Sequence, residues 1–247
     1  CSSDLILGND PHRIAVNMQT GINLLLWTYH VDASHLPLFG QIREWGYDGV
    51  ELPMADPATF HSRAVKQALD DLGLRRTASL VLPEGIDLIA DSADQREAAV
   101  SFLKRAVDVA RPMGVETLLG PYYTPLGRFS GQGPTDAEKE RFVEGFKEVG
   151  AHADDAGIDL AVEPLNRFET YFVNCQADAR ALVDAVGRDS VGILYDTFHA
   201  NIEEKELAGA IRTGGEKINH VHISANDRGT PGEDHIDYET TFRTLRE

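Results

Sequence analysis

The sequence predicts a (β/α)8 barrel (TIM barrel), and three observations carry that prediction. Strand-length apolar runs alternate with helix-length amphipathic stretches from Gly21 to the end of the chain. Seven such units follow one another, at about 30 residues each and with no break in composition. No GxGxxG follows the first strand and no GxxxxGK[ST] occurs, which weakens the doubly wound, nucleotide-binding alternative. Strands separated by helices run parallel and are joined by right-handed crossovers. A chain of 247 residues that is 42% hydrophobic can fill one large core.

The elements follow in order. Gly21–Trp27 (GINLLLW) is an apolar run of strand length. Ala33–Trp45 places Leu36, Phe39, Ile42 and Trp45 at helical spacing. Gly49–Leu52 is a short second strand ended by Pro53, and Ala58–Leu72 is a helix closed by Gly73. Arg75–Leu82 is the third strand, followed by a long helix, Asp94–Met113, with Phe102, Leu103, Ala106, Val109 and Met113 on one side. Glu116–Tyr122 is the fourth strand. The next helix, Thr135–Ala156, opens on Thr135 and Glu138, the spacing of a capping box. Gly131, Gly133 and Pro134 mark the loop between them as a flexible lid. Asp159–Leu165, Val191–Asp196 and Ile218–Ser224 are strands five to seven. Ala177–Val186, Glu203–Arg212 and Tyr238–Arg246 are the helices after them. The acidic run Glu203-Glu204-Lys205-Glu206 suits the positive end of a helix dipole. Residues 1–20 precede the barrel as an N-terminal extension, so one barrel domain is expected over 21–247. A closed barrel needs one more strand and its helix, roughly 25–45 residues. The domain is therefore expected to be incomplete at its C-terminal side.

Charge and cysteine content narrow the function. Lys and Arg number 23 against 40 Asp and Glu, a net charge of −17. A nucleic-acid binder presents a basic face, so that class is disfavoured. No apolar run approaches the roughly 18 residues of a membrane helix. Cys1 and Cys175 are too few for a disulfide framework or a thiolate metal site. A reduced, cytoplasmic protein is expected. The Cys-Ser-Ser start leaves a lipid anchor on Cys1 as the alternative.

Barrel enzymes carry their chemistry at the C-terminal ends of strands. Strand five ends on Glu163, strand six on Asp196, and strand seven contains His222. Period-two alternation puts Ala161 with Glu163, and His220 with His222, on the inward face. His220 lies one layer deeper and is read as structural. Two carboxylates and an imidazole on adjacent strands make either a metal site or a buried polar network; a metal would be Mn²⁺, Mg²⁺ or Co²⁺. Glu51, ending strand two, either lines the site or is a buried structural carboxylate. Trp27 is an apolar wall for the ligand or a core residue. Tyr122, with Tyr123, touches the far end of a ligand or is a loop residue without a role.

Three blocks extend this reading. Glu163 opens ExxNRFE, Asp196 opens DTFHxNIEE, and His220 opens HxHxxxxxRG. In these blocks the sequence resembles the sugar isomerase/epimerase superfamily with the xylose-isomerase-like barrel. Within it the chain is most similar to the ketose 3-epimerases acting on tagatose, fructose, psicose (allulose) and ribulose. The resemblance implies that Glu163 is a metal ligand and one of two catalytic carboxylates, with Asp196 and His222 as further ligands. Glu169, His199 and Arg228 would hold the O1–O3 end of the sugar. The implied reaction is epimerisation of a free ketose at C3 through a cis-enediolate, with Mn²⁺ foremost and Co²⁺ or Mg²⁺ as alternatives. A homodimer or homotetramer is implied too. The family's second carboxylate, on strand eight, has no match, and Glu247 is not that residue.

Three other readings stand beside this one. Another isomerase of the superfamily (aldose–ketose or hydroxypyruvate type) or an inosose dehydratase would use the same enediolate chemistry. An apurinic-site endonuclease of the same barrel would need more metal ligands and a basic surface, against the −17 charge. A non-catalytic sugar-binding protein is the alternative of a different class.

Overall fold

The computed structural model of the chain describes residues 18–247. Residues 1–17 of the expected extension, Cys1 included, lie outside the described residues. Seven strands form one parallel sheet in sequential order. They are β1 (Gly21–Asn23), β2 (Gly49–Pro53), β3 (Arg75–Ser79), β4 (Thr117–Gly120), β5 (Asp159–Val162), β6 (Val191–Asp196) and β7 (Ile218–His222). Eight α-helices accompany them among the described residues: α1 (Leu36–Glu44), α2 (Arg63–Asp71), α3 (Ala93–Met113), α4 (Asp136–Ala156), α5 (Gln176–Val186), α6 (Thr197–Glu203), α7 (Leu207–Gly214) and α8 (Tyr238–Leu245). The sheet curls: His222 on β7 reaches Glu51 on β2 at 3.0 Å, although β1 and no other described strand pairs with β2 on that side. This is the predicted barrel architecture with seven strands among the described residues.

Strand alternation separates outward from inward packing. Outward residues such as Val50, Leu118, Leu160, Val162 and Ile193 pack with Phe39, Leu69, Phe102, Phe142 and Phe146 in the large core. Leu119, Ala161 and Leu194 form a small cluster of their own on the opposite, inward face. Polar groups extend that inward face towards the C-terminal strand ends. One glycine is required there. Gly120, at φ +139°, lets the Leu80 carbonyl approach so closely that a Cβ would sit 2.2 Å from its oxygen.

Four expectations change. The first strand stops at Asn23, because its side chain accepts from the Leu25 N–H at 2.9 Å and turns Leu24–Leu26 into a 3-10 turn. Ala33–His35, read as the start of a helix, is likewise a 3-10 turn, and the helix proper begins at Leu36. The acidic run is not one helix start. Glu203 ends α6, Glu204 accepts from the Gln176 N–H at the start of α5, and Glu206 caps α7. The loop read as a lid is tethered in its first half. Asp87 accepts from Thr124 (2.8 Å) and pairs with Arg128, and the Gly127 N–H donates to the Glu169 carbonyl at 2.9 Å. The Thr135–Glu138 capping box forms as read.

Candidate active site

The end of β6 builds the centre of the site. Asp196 accepts from the Phe198 N–H at 2.7 Å and so caps α6 without an intervening loop. That tight turn puts His199 in the helix's first turn, beside the strand ends. Thr197 locks β6 to the end of β7: its hydroxyl donates to the Ser224 carbonyl at 2.6 Å and accepts from the Ser224 N–H at 2.8 Å. Glu163 follows β5 directly, and its N–H donates to the Gly120 carbonyl. The Tyr123 hydroxyl donates to the Glu163 carbonyl at 3.0 Å from beneath.

Glu163, Asp196 and His222 converge. His222 Nδ1 lies 3.6 Å from Asp196 Oδ2 and 3.8 Å from Glu163 Oε1. His199 Nε2 lies 3.8 Å from the same Glu163 oxygen. These separations are too long for hydrogen bonds. All three predicted ligands therefore aim at a shared space without satisfying one another. Glu163, Asp196 and His199 also offer donor atoms close enough to share one cation.

The charges fit a cation. Burial pushes the Glu163 carboxyl up to about 8, aided by the Asp196 charge and opposed by His222. Asp196 is held below the usual carboxylate range despite burial, by His222 and the Phe198 N–H. Two adjacent buried carboxylates cannot both ionise cheaply without a positive charge between them. A hard oxygen pair with one imidazole nitrogen suits a divalent cation.

The outer part of the site is a relay through Asn166. Its backbone N–H donates to His199 Nδ1 at 3.0 Å, so His199 carries its hydrogen on Nε2, facing Glu163. The Asn166 amide donates to Glu169 at 2.9 Å, and Arg228 donates to the same Glu169 oxygen at 2.7 Å. The Arg228 guanidinium lies 4.1 Å above the Phe198 ring. Arg228 is the one non-glycine residue with positive φ (60°) among the described residues. A backbone held in that region is a feature of sites that aim a side chain.

Glu51 turns inward, as its parity allows, but deeper than these groups. It is surrounded by donors: Asn23 Nδ2 at 2.7 Å, Thr77 Oγ1 at 3.0 Å, His222 Nε2 at 3.0 Å and His220 Nε2 at 3.1 Å. Burial opposes its ionisation, yet the His222 and His220 partners hold it well below the usual carboxylate range.

Two weaker candidates move. Tyr122 is not at the site: it is 1% exposed, its hydroxyl donates to the Leu118 carbonyl, and its ring stacks on Phe146. Residues after β4 turn outward into the helix layer, which one sequence does not reveal. Trp27 is not a core residue; it lies at the surface, stacked on Trp45 with ring centroids 6.5 Å apart. Sequence reasoning missed Asn166 and Phe198. Asn166 lies inside a quoted block, and its place between Glu163 and Glu169 was the available signal.

The family described as "Xylose isomerase-like TIM barrel" matches residues 39–247. A ketose 3-epimerase of Arthrobacter globiformis is 33% identical over 92% of this chain and 79% of its own length. A D-psicose 3-epimerase of Agrobacterium fabrum is 28% identical over 93% of this chain and 81% of its own. A solved L-ribulose 3-epimerase superposes with a TM-score of 0.86 at 30% identity, covering 92% of this chain and 77% of that one. No described helix is long and apolar enough to cross a membrane.

Proposed function

The chain belongs to the xylose isomerase-like TIM barrel family, and from that premise we propose that it epimerises a free ketose at C3 with a divalent cation as cofactor. The observation that carries the reading is the convergence of Glu163, Asp196 and His222 Nδ1 on one space, at separations of 3.6–3.8 Å that exclude direct hydrogen bonding. The related ketose, D-psicose and L-ribulose 3-epimerases support the substrate class. Glu163, Asp196 and His222 would hold the cation, with Mn²⁺ first among candidates. When bound, it supplies the Lewis acidity that makes a proton next to a ketone removable.

The residues divide the remaining work. Glu163 takes the C3 proton, and the electron pair of the broken C–H bond moves into the enediolate. His199, with its hydrogen on Nε2, donates to a sugar oxygen near that charge. Arg228 and Glu169 form a charged pair at the mouth and orient the O1 end. A proton delivered from solvent to the opposite face of C3, with Glu163 releasing the one it took, completes the epimerisation.

The test is product analysis on D-fructose, D-psicose, D-tagatose and L-ribulose. A C3 epimer that disappears with chelator and returns with Mn²⁺ supports the reading. An aldose product would move the activity to carbonyl shift between C2 and C1. Saccharide binding without turnover would overturn catalysis.

A further inference from the structure

The two ring nitrogens of His222 face different worlds. Nε2 lies 3.0 and 3.2 Å from the two Glu51 oxygens, while Nδ1 faces Asp196 and Glu163 at 3.6 and 3.8 Å. Glu51 is 5% exposed and stands on β2, across the barrel interior from β7. We propose that Glu51 is a positioning residue that accepts the Nε2 hydrogen of His222 and thereby presents the bare Nδ1 lone pair to the cation space. The inference deepens the functional reading above and rests on it.

Three observations support this division. An ionised carboxylate only accepts, so a hydrogen must sit on Nε2 for the 3.0 Å contact to hold. In the metal-ligating form of the ring, that leaves Nδ1 without one. Asn23 and Thr77 donate to Glu51 from β1 and β3, the strands on either side, and fix its carboxylate plane. His220 adds a fourth donor at 3.1 Å, edge-on to the His222 ring with centroids 5.2 Å apart. The imidazole can then neither flip nor slide without stranding a buried group. A carboxylate behind a ligating histidine fixes ring orientation and raises ligand basicity, and loss of such a partner weakens metal binding about 10–100-fold. Glu51→Gln tests this because it removes the carboxylate charge and leaves one acceptor oxygen where four donors now share two.

Two measurements decide it. Calorimetric titration with Mn²⁺ should show Glu51→Gln binding about 10–100-fold more weakly than wild type. Equal affinity in a folded Glu51→Gln protein overturns the proposal. The second measurement needs no variant. In ¹⁵N-histidine-labelled wild type saturated with diamagnetic Mg²⁺, His222 should show a hydrogen on Nε2 and none on Nδ1. A hydrogen on Nδ1 overturns the proposal even if Glu51→Gln fails to fold. A wild type that binds neither Mn²⁺ nor Mg²⁺ sinks the functional reading itself, and with it the proposal that rests on it. Metal binding that survives Glu51→Gln sinks the positioning role alone.

Discussion

Two clusters of the same residue types sit one above the other in this barrel. The lower one, Glu51 with His220 and His222, is closed: its groups meet at 3.0–3.2 Å, and Asn23 and Thr77 complete it. The upper one, Glu163, Asp196, His199 and His222, is open: the contacts measured across it are 3.6–3.8 Å. Residue type does not distinguish them, since each has carboxylate and imidazole. Satisfaction does. The closed cluster spends its acceptors on the protein, whereas in the open one Asp196 and His199 each give one atom to a backbone N–H and the atoms that face one another stay beyond hydrogen-bond distance. His222 belongs to both, with one nitrogen in each.

The comparison breaks if the two clusters respond alike to mutation. The largest expected effect is on the open side. Glu163→Gln should lower turnover about 10²–10⁴-fold, the range for losing a general base. Urea unfolding of the same variant should show no loss of stability, because the substitution removes one of two adjacent buried carboxylates. Any epimerase activity near wild type would sink the role of Glu163. On the closed side the signs reverse. Glu51→Ala strands two half-buried imidazoles and two further donors around a buried position, and should cost about 3–5 kcal/mol in urea unfolding. Thr77→Val removes one hydrogen bond to a charged acceptor and should cost about 1.5–3 kcal/mol. If both are silent, the closed cluster is not a structural unit.

The smallest effect lies outside both clusters and serves as their reference. Glu138 is held below the usual carboxylate range; burial opposes this, and Tyr171 and Thr135 outweigh it. A depressed carboxylate contributes stability that is complete above its unfolded value and is lost as pH falls through its folded value. Amide protection (exchange corrected for its intrinsic pH dependence) at the start of α4 should therefore fall on acidification below about pH 4.3, the ordinary glutamate value. It should be flat between neutral pH and that point, whether or not Mn²⁺ is present.

Much of the fold was legible because alternation is a local signal. Ala161 and Glu163 fall inward and Val162 outward, as period two requires. The capping box at Thr135 is equally local. Asn23, Tyr122 and the acidic run were not legible, for one shared reason. Each is decided by a partner that is distant in sequence or by a turn that competes with the expected element. Asn23 bonds both Leu25 and Glu51, so the strand yields to a 3-10 turn. Glu204 caps α5 from 28 residues away.

For the site the division is similar. The sequence alone determined which side chains stand at strand ends and on which face, because a strand's side-chain period is two whatever surrounds it. It also determined the blocks ExxNRFE, DTFHxNIEE and HxHxxxxxRG that point to sugar epimerisation. Only the tertiary structure decided that Glu51 and His222, 171 residues apart, would meet across the curled sheet. It alone decided which nitrogen of His222 meets Glu51 and which faces Asp196 and Glu163. The physical reason is that hydrogen-bond satisfaction is a property of a packed neighbourhood, and curling the sheet is what creates that neighbourhood.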